Sequence, residues 1–116
     1  MGQYTFTATF SQIDSVVNLG VIDTHNKNGF KNGNYVWYSN KSYCDVGSVG
    51  SFKGSGFKTG EKVTVAIDLK QGTIQWRVGS EIRCQETVAM LKDNSITWVP
   101  YIGLCWKDDS VEISEE

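Results

Sequence analysis

The chain has 116 residues, 40% of them apolar, and its 11 basic and 13 acidic side chains leave a formal net charge of -2 at pH 7. A chain of this length fits one domain, residues 1–116, which can bury a core without disulfides or metal. The charges are interspersed along the chain and form no basic stripe of the kind that phosphate contacts need, so nucleic acid is not an expected partner.

Neither a membrane segment nor a secretory signal is visible in the sequence. No apolar run approaches the roughly 20 residues that a helix needs to cross a bilayer. The N-terminus lacks the basic and apolar regions of a signal peptide. The three cysteines, Cys44, Cys84 and Cys105, are odd in number and widely spaced, and His25 is the only histidine. We therefore expect reduced thiols in a cytoplasmic, intracellular protein, without a metal site or other cofactor.

Two strands are predicted at the start of the chain. Residues 4–10 alternate apolar and threonine side chains, which is the period of a strand with one face in a core. Residues 16–22 form an apolar, β-branched run that is too short for a typical helix, which favours a strand buried on both faces. A turn around residues 12–14 would join them as an antiparallel pair.

A long polar loop is predicted at residues 23–34, where Phe30 is the only large apolar side chain. We call this segment the long loop. Loops of this length without structure of their own often carry function. An aromatic stretch follows at residues 35–38, and glycines and serines then punctuate residues 45–60. Short strands are expected within this last region, around Val46, Val49 and Phe52.

The clearest hairpin lies in the second half of the chain. Alternating apolar residues mark both of its strands, residues 62–69 and 73–78, on either side of a turn at residues 70–72. A further strand is expected near residues 81–84. The only plausible helical turn falls within residues 87–92.

Two more strands are predicted within residues 96–106 and 110–114. Pro100 has no N–H to donate, so the first of these strands should lie at a sheet edge or contain a bulge. About nine short strands and no helix of consequence predict an all-β fold of two packed antiparallel sheets.

Four short motifs follow one another in the second half of the chain. They are a Gly-acidic pair, a strand that ends near an aspartate, a glycine-led hairpin into an aromatic strand, and a late proline, found at residues 60–61, 65–69, 72–76 and 99–102. Upstream, an early strand, a Gly-Val strand and a central aromatic motif occur at residues 4–10, 19–21 and 37–38. In this order and spacing the chain resembles the SPRY family over nearly its whole length.

The resemblance implies a bent antiparallel β-sandwich of the concanavalin-like jelly-roll class. It also implies a module that binds a short segment or surface of another protein through loops at one end, without a reaction. Two features depart from the family pattern. SPRY domains usually carry another strand before the position of Tyr4, and Val78 and Gly79 stand where the family has an Asn-Gly turn.

The residues themselves give little support to catalysis. A nucleophile and base pair would need His25, which fits an exposed polar position of the long loop better. Asp68 ends a strand and fits a turn residue better than one of two catalytic carboxylates. A calcium site in the long loop would have low acidic content, since it would draw on Asp23, Asn26 and Asn28. We expect no enzyme activity and no bound metal.

Aromatic residues favour a binding function, because Trp and Tyr side chains carry much of the energy of protein interfaces. Those on regular alternating faces are expected in the core, namely Phe6, Phe10, Trp76 and Trp98, and Trp37 is expected to be buried as well. The residues in or beside loops are predicted to contact a partner protein, and they are Asp23, His25, Asn26, Phe30, Tyr35, Tyr38, Tyr43 and Trp106.

We expect three loops, at residues 23–34, 38–43 and 106–109, to converge at one end of the sandwich. Tyr38 and Trp106 would then anchor a contact with an apolar centre and a polar rim. The chain is thus predicted to be a protein-binding module. The alternative is a lectin-like sandwich that stacks sugar rings on Trp106 or Tyr38, since aromatic platforms beside Asn and Asp also suit carbohydrate.

Overall fold

The structure is a computed structural model that describes residues 2–13, 16–24, 35–41, 43–46, 50–104 and 110–115. These residues form ten strands and a single turn of 3₁₀ helix, with no helix long and apolar enough to cross a membrane. The strands are β1 Gln3–Gln12, β2 Val17–Asp23, β3 Tyr35–Ser39, β4 Tyr43–Val46, β5 Gly50–Lys53, β6 Lys62–Asp68, β7 Thr73–Val78, β8 Glu81–Thr87, β9 Trp98–Leu104 and β10 Ser110–Glu115. The 3₁₀ turn covers Ala89–Lys92, inside the stretch where a helical turn was predicted.

The strands pair into two antiparallel sheets of five strands each, which confirms the predicted all-β sandwich. Sheet A has the order β10-β1-β6-β7-β8, and sheet B has the order β5-β4-β3-β2-β9. Within the described part of the chain, β8 and β10 are therefore the edges of sheet A, and β5 and β9 are the edges of sheet B.

The core fills the space between the two sheets, and alternate residues of the inner strands build it. Its largest fully buried side chains include Phe6, Phe10, Leu19, Ile74 and Trp76. The indole Nε1 of Trp76 in sheet A donates a hydrogen bond to the Leu19 carbonyl oxygen of sheet B at 2.8 Å. This bond satisfies the one polar atom of the largest core side chain and joins the two layers.

The predicted hairpin of β6 and β7 is confirmed, and its turn shows why the chain reverses there. The Asp68 carboxylate accepts hydrogen bonds from the backbone N–H groups of Lys70 and Gln71, at 3.0 and 3.1 Å. Gly72 then adopts a φ of 71°, which costs an L side chain free energy but costs glycine little. An aspartate and a glycine at this spacing are typical of a tight turn, so the reversal is encoded locally in the sequence.

The late proline occupies the kind of position that was predicted for it. Pro100 lies opposite Val21 in β9, and β9 is an edge strand of sheet B within the described residues. A residue without an N–H is tolerated there because the outer side of an edge strand has no ladder bond to lose.

The segment between β5 and β6 is attached to sheet A through Arg83. The pairing of β7 with β8 is irregular between Trp76 and Arg77, so Arg83 has no partner in the register. Its guanidinium contacts Glu61 Oε2 at 2.6 Å and donates to the Gly56 carbonyl oxygen at 2.7 Å. A bulge thus directs a strand residue toward a neighbouring loop, as bulges commonly do.

Candidate functional site

The residues predicted to contact a partner fall into three groups. Four of them, His25, Asn26, Phe30 and Trp106, lie outside the described residues, and of Tyr43 the structure describes only the backbone in β4. Asp23 and Tyr35 lie near each other in sheet B, because Asp23 ends β2 and Tyr35 pairs with the preceding residue, Ile22. Tyr38 lies in the core.

Tyr38 is not a surface anchor, and that prediction is wrong. Its side chain is 0% exposed, and its ring packs against those of Trp76 and Phe57 with centroids 5.5 and 6.1 Å apart. Its hydroxyl accepts a hydrogen bond from the backbone N–H of Gly56. The aromatic stretch is one regular strand, so its alternation sends Tyr38 inward and Trp37 to the opposite face. The same burial removes Tyr38 as a platform for a sugar ring.

The flanks of the predicted loops do not lie at one end of the sandwich. The long loop leaves the sheet at Asp23, which pairs with Trp98. The loop predicted at residues 106–109 comes after Leu104 in the sequence, and Leu104 pairs with Val17 at the other end of β2. The turn after β3 belongs to this second end, because the Asn40 backbone N–H donates to the Val17 carbonyl oxygen at 3.2 Å. A strand of this length separates the two ends by roughly 20 Å.

Three aromatic rings stack on the outer face of sheet B, the face that is turned away from the core. The ring centroids of Tyr35 and Trp37 are 4.3 Å apart with an angle of 16° between the planes. Those of Trp37 and Tyr101 are 5.3 Å apart with an angle of 27°. We call these three rings the outer stack. Trp37 in its middle is only 6% exposed, whereas both tyrosines are partly exposed.

Glycine at position 20 makes the outer stack possible. Gly20 stands between Trp37 and Tyr101 in the register of sheet B. A Cβ at this position would overlap the Val36 carbonyl oxygen and lie 2.6 Å from the Trp37 Cα. Since the intervening strand carries no side chain at this point, rings from the two strands beside it can meet across it.

Polar atoms lie beside the aromatic rings. The Oδ1 atom of Asn18 is buried and accepts no hydrogen bond from the described residues. Asn18 pairs with Gly103, and a Cβ at Gly103 would lie 2.7 Å from the Tyr101 hydroxyl and 3.4 Å from the Asn18 Nδ2. Burial raises the pKa of Tyr101, so its hydroxyl is a neutral donor at physiological pH. Apolar rings with a few convergent polar atoms are typical of binding sites.

One part of the outer stack is visible in the sequence. Tyr35 and Trp37 are two residues apart in a strand, so they share a face. Trp37 was expected to be buried, and it is, but on the outer face of sheet B and not between the sheets. Tyr101 was not singled out, because nothing local in the sequence shows that β9 and β3 both flank β2.

Comparisons with known proteins assign no family to the chain. No protein-family model matches it, and no curated protein sequence matches it. The SPRY resemblance therefore rests on the order of the sequence motifs alone.

Proposed function

We propose that the chain is a SPRY-like interaction module that binds a peptide segment or surface of another protein. The observation that carries this proposal is the outer stack. Its rings lie on the outer face of sheet B, so they do not fill the core between the two sheets. Tyr and Trp at the surface supply large contact area with little loss of conformational freedom on binding, and interfaces are enriched in them.

The contact surface in this proposal extends from the outer stack into the long loop. Tyr35 begins β3 directly after the long loop, and Asp23 lies at the end of β2 where the loop begins. The predicted contacts His25, Asn26 and Phe30 belong to that loop and lie outside the described residues. Tyr43 and Trp106 stay predicted contacts that the described residues do not link to this surface.

The chemistry of the outer stack fits a peptide with an apolar anchor and a nearby N–H donor. The rings of Tyr35 and Tyr101 offer apolar area at the two ends of the stack. The Asn18 Oδ1 is a buried acceptor without a hydrogen bond from the described residues, and a shift of its side chain on binding would expose it to a donor of the partner. Leaving such an atom without a hydrogen bond costs about 1–3 kcal/mol, so a partner that supplies the bond gains affinity and specificity.

The proposal is tested by selecting peptides on the folded chain from a display library and measuring their affinity for variants. Tyr35→Ala and Tyr101→Ala should each weaken a selected peptide by about 2 kcal/mol, roughly 30-fold, because a few aromatic side chains carry most of the binding energy of an interface. Tyr101→Phe keeps the ring and should lose much less. Binding is measured by calorimetry and folding by thermal unfolding.

Ile82→Ala is the matched control, since Ile82 is 52% exposed and belongs to sheet A. It removes an exposed apolar side chain from the other sheet and should leave peptide affinity unchanged. Selected peptides that bind the folded Tyr35→Ala and Tyr101→Ala variants as well as the original chain would disprove the proposed contact surface.

A further inference from the structure

A shallow groove of about 450 Å³ crosses the outer face of sheet A. This face lies on the opposite side of the sandwich from the outer stack. Four neighbouring strands contribute to the lining, and its polar side chains are Gln3, Thr5, Asp68, Thr73, Gln75 and Gln85. The proposed function makes no use of any of them.

The groove follows from the order of side-chain sizes along the rows of the sheet. Ala66 lies between Thr5 and Gln75 in the register of β1, β6 and β7. Its methyl group forms a low floor, and the longer side chains of Gln3 and Gln85, which also line the groove, rise beside it. A small residue at the centre of a row of long ones leaves a depression on an otherwise flat face.

Hydrogen bonds fix the orientation of the amide groups in the lining. The Gln3 Nε2 donates to Asp68 Oδ2 at 2.9 Å, and the Gln75 Nε2 donates to Gln85 Oε1 at 3.0 Å. Each amide nitrogen has two N–H groups and each oxygen has two lone pairs, so every bonded amide keeps hydrogen-bonding capacity for a ligand. The hydrogen bond from Gln3, followed by those from the backbone of Gln71 and Lys70, holds the pKa of Asp68 below its ordinary value. The groove therefore offers donors, neutral acceptors and one carboxylate.

We propose that this groove binds a neutral carbohydrate. Sugar hydroxyls both donate and accept hydrogen bonds, which matches a lining of amides, threonine hydroxyls and one ionised carboxylate. Tyr4 also lines the groove, but its ring packs against the core on the inner side of β1, so the polar side chains of the lining would make the contacts to the sugar. The charge of Asp68 disfavours anionic ligands.

An extended peptide fits the groove less well than a sugar does. Peptides that add to a sheet pair with the backbone of an edge strand, whereas the groove lies on a face and crosses the central strands β1, β6 and β7. At a sheet face only side chains are available for hydrogen bonds, because the backbone groups of central strands are used within the sheet.

The test is a titration of the ¹⁵N-labelled chain with neutral mono- and trisaccharides of glucose, galactose, mannose and N-acetylglucosamine, followed by NMR. Because the groove is shallow, we expect a dissociation constant of about a millimolar for the saccharide that fits best. The side-chain amide signals of Gln3, Gln75 and Gln85 should shift, while that of Gln71, which does not line the groove, should stay in place.

Two matched variants then locate the site. Ala66→Ile fills the floor of the groove without removing a polar group and should weaken saccharide binding at least about tenfold. Thr64→Ile adds bulk two residues away on the same face, outside the lining, and should leave binding unchanged. The amide spectrum shows in the same experiment whether each variant is folded.

Three results would overturn the carbohydrate proposal. The first is the absence of any shift of the groove amides with every neutral saccharide, and the second is equal binding by the folded Ala66→Ile variant. The third is a shift of these amides by selected peptides or by an anionic saccharide in place of the neutral ones. The first two results do not bear on the outer stack. The third bears on it only if the same peptides also bind Tyr35→Ala and Tyr101→Ala unchanged, so failure here is distinguishable from failure of the proposed protein-binding function.

Discussion

At the scale of single residues, the ion pair between Arg83 and Glu61 joins the segment before β6 to β8. The hydrogen bond to Glu61 is the main reason why the pKa of Arg83 is raised, and the hydrogen bond to Arg83 is the main reason why that of Glu61 is lowered. The two side chains are 13% and 25% exposed, so water partly screens their attraction. We therefore expect the pair to contribute no more than about 1 kcal/mol to the free energy of unfolding of the chain.

Glu61→Gln should reduce the dependence of stability on pH in the acid range. The folded-state pKa of Glu61 lies below its ordinary value of 4.5, so the contribution of its carboxylate is present above pH 4.5 and is lost as the pH falls through the folded-state pKa. The variant should be less stable than the original chain at pH 7 by up to about 1 kcal/mol, and the difference should shrink as the pH falls toward about 3. Urea unfolding of both proteins at pH 7 and at about pH 3 measures this difference in the free energy of unfolding.

Glu81→Gln is the control for this prediction. Glu81 also contacts the Arg83 guanidinium, but its side chain is 62% exposed, and solvent weakens such contacts strongly. The prediction is contradicted if the free energies of unfolding of the original chain and of Glu61→Gln differ by the same amount across the acid range. The charge of the Glu61 carboxylate would then not stabilise the fold.

At the scale of strands, β2 organises sheet B because it lies between β3 and β9. It contributes Leu19 and Val21 to the core on one side, and on the other side Gly20 lets the rings of the outer stack meet. One strand therefore serves two different surfaces through simple alternation. A change at its glycine should disturb the outer face while the apolar side chains of the core remain.

Gly20→Ala should be strongly destabilising. The added methyl group would overlap the Val36 carbonyl oxygen, and backbone atoms of a paired strand cannot move aside as the end of a flexible side chain can. Gly79→Ala is the comparison, since Gly79 has a φ of 61° with open space around it and should cost only about 1–2 kcal/mol of backbone strain. Urea unfolding should therefore rank Gly20→Ala as the more damaging change, and the opposite ranking would contradict the role given to this glycine.

The strands show which parts of the fold a sequence reveals. The β6-β7 hairpin was predictable because its alternation and its turn residues, Asp68 and Gly72, are local in the sequence. Tyr38 was misplaced because its setting depends on Phe57 and Trp76, which come from distant parts of the chain. The burial of Thr7 is likewise not predictable from local alternation, since Thr7 lies on the polar side of β1 and yet is only 2% exposed. Period-two patterns assign residues to faces, but strand order decides what covers each face.

At the scale of the whole molecule, the two proposed sites lie on opposite outer faces of the sandwich. The outer stack belongs to sheet B, whereas the carbohydrate groove belongs to sheet A. Between them lie the two sheets and the core that the sheets enclose, where side chains such as Leu19, Val65 and Trp76 are fully buried. From the sequence alone, the groove is not visible and only the shared face of Tyr35 and Trp37 indicates the outer stack, because each face is assembled from strands that are far apart along the chain.

The two sites should bind their ligands independently. No described side chain of the outer stack lines the groove, and a packed core of ordinary side chains transmits coupling only where it has two alternative arrangements. The affinity for a selected peptide should therefore change less than about twofold when the groove is saturated with the best saccharide. Tyr101→Ala should likewise leave the saccharide-induced shifts of Gln75 and Gln85 unchanged. Calorimetric titration of the peptide with and without saccharide measures the coupling, and a change of about tenfold or more would show that the two faces communicate through the core.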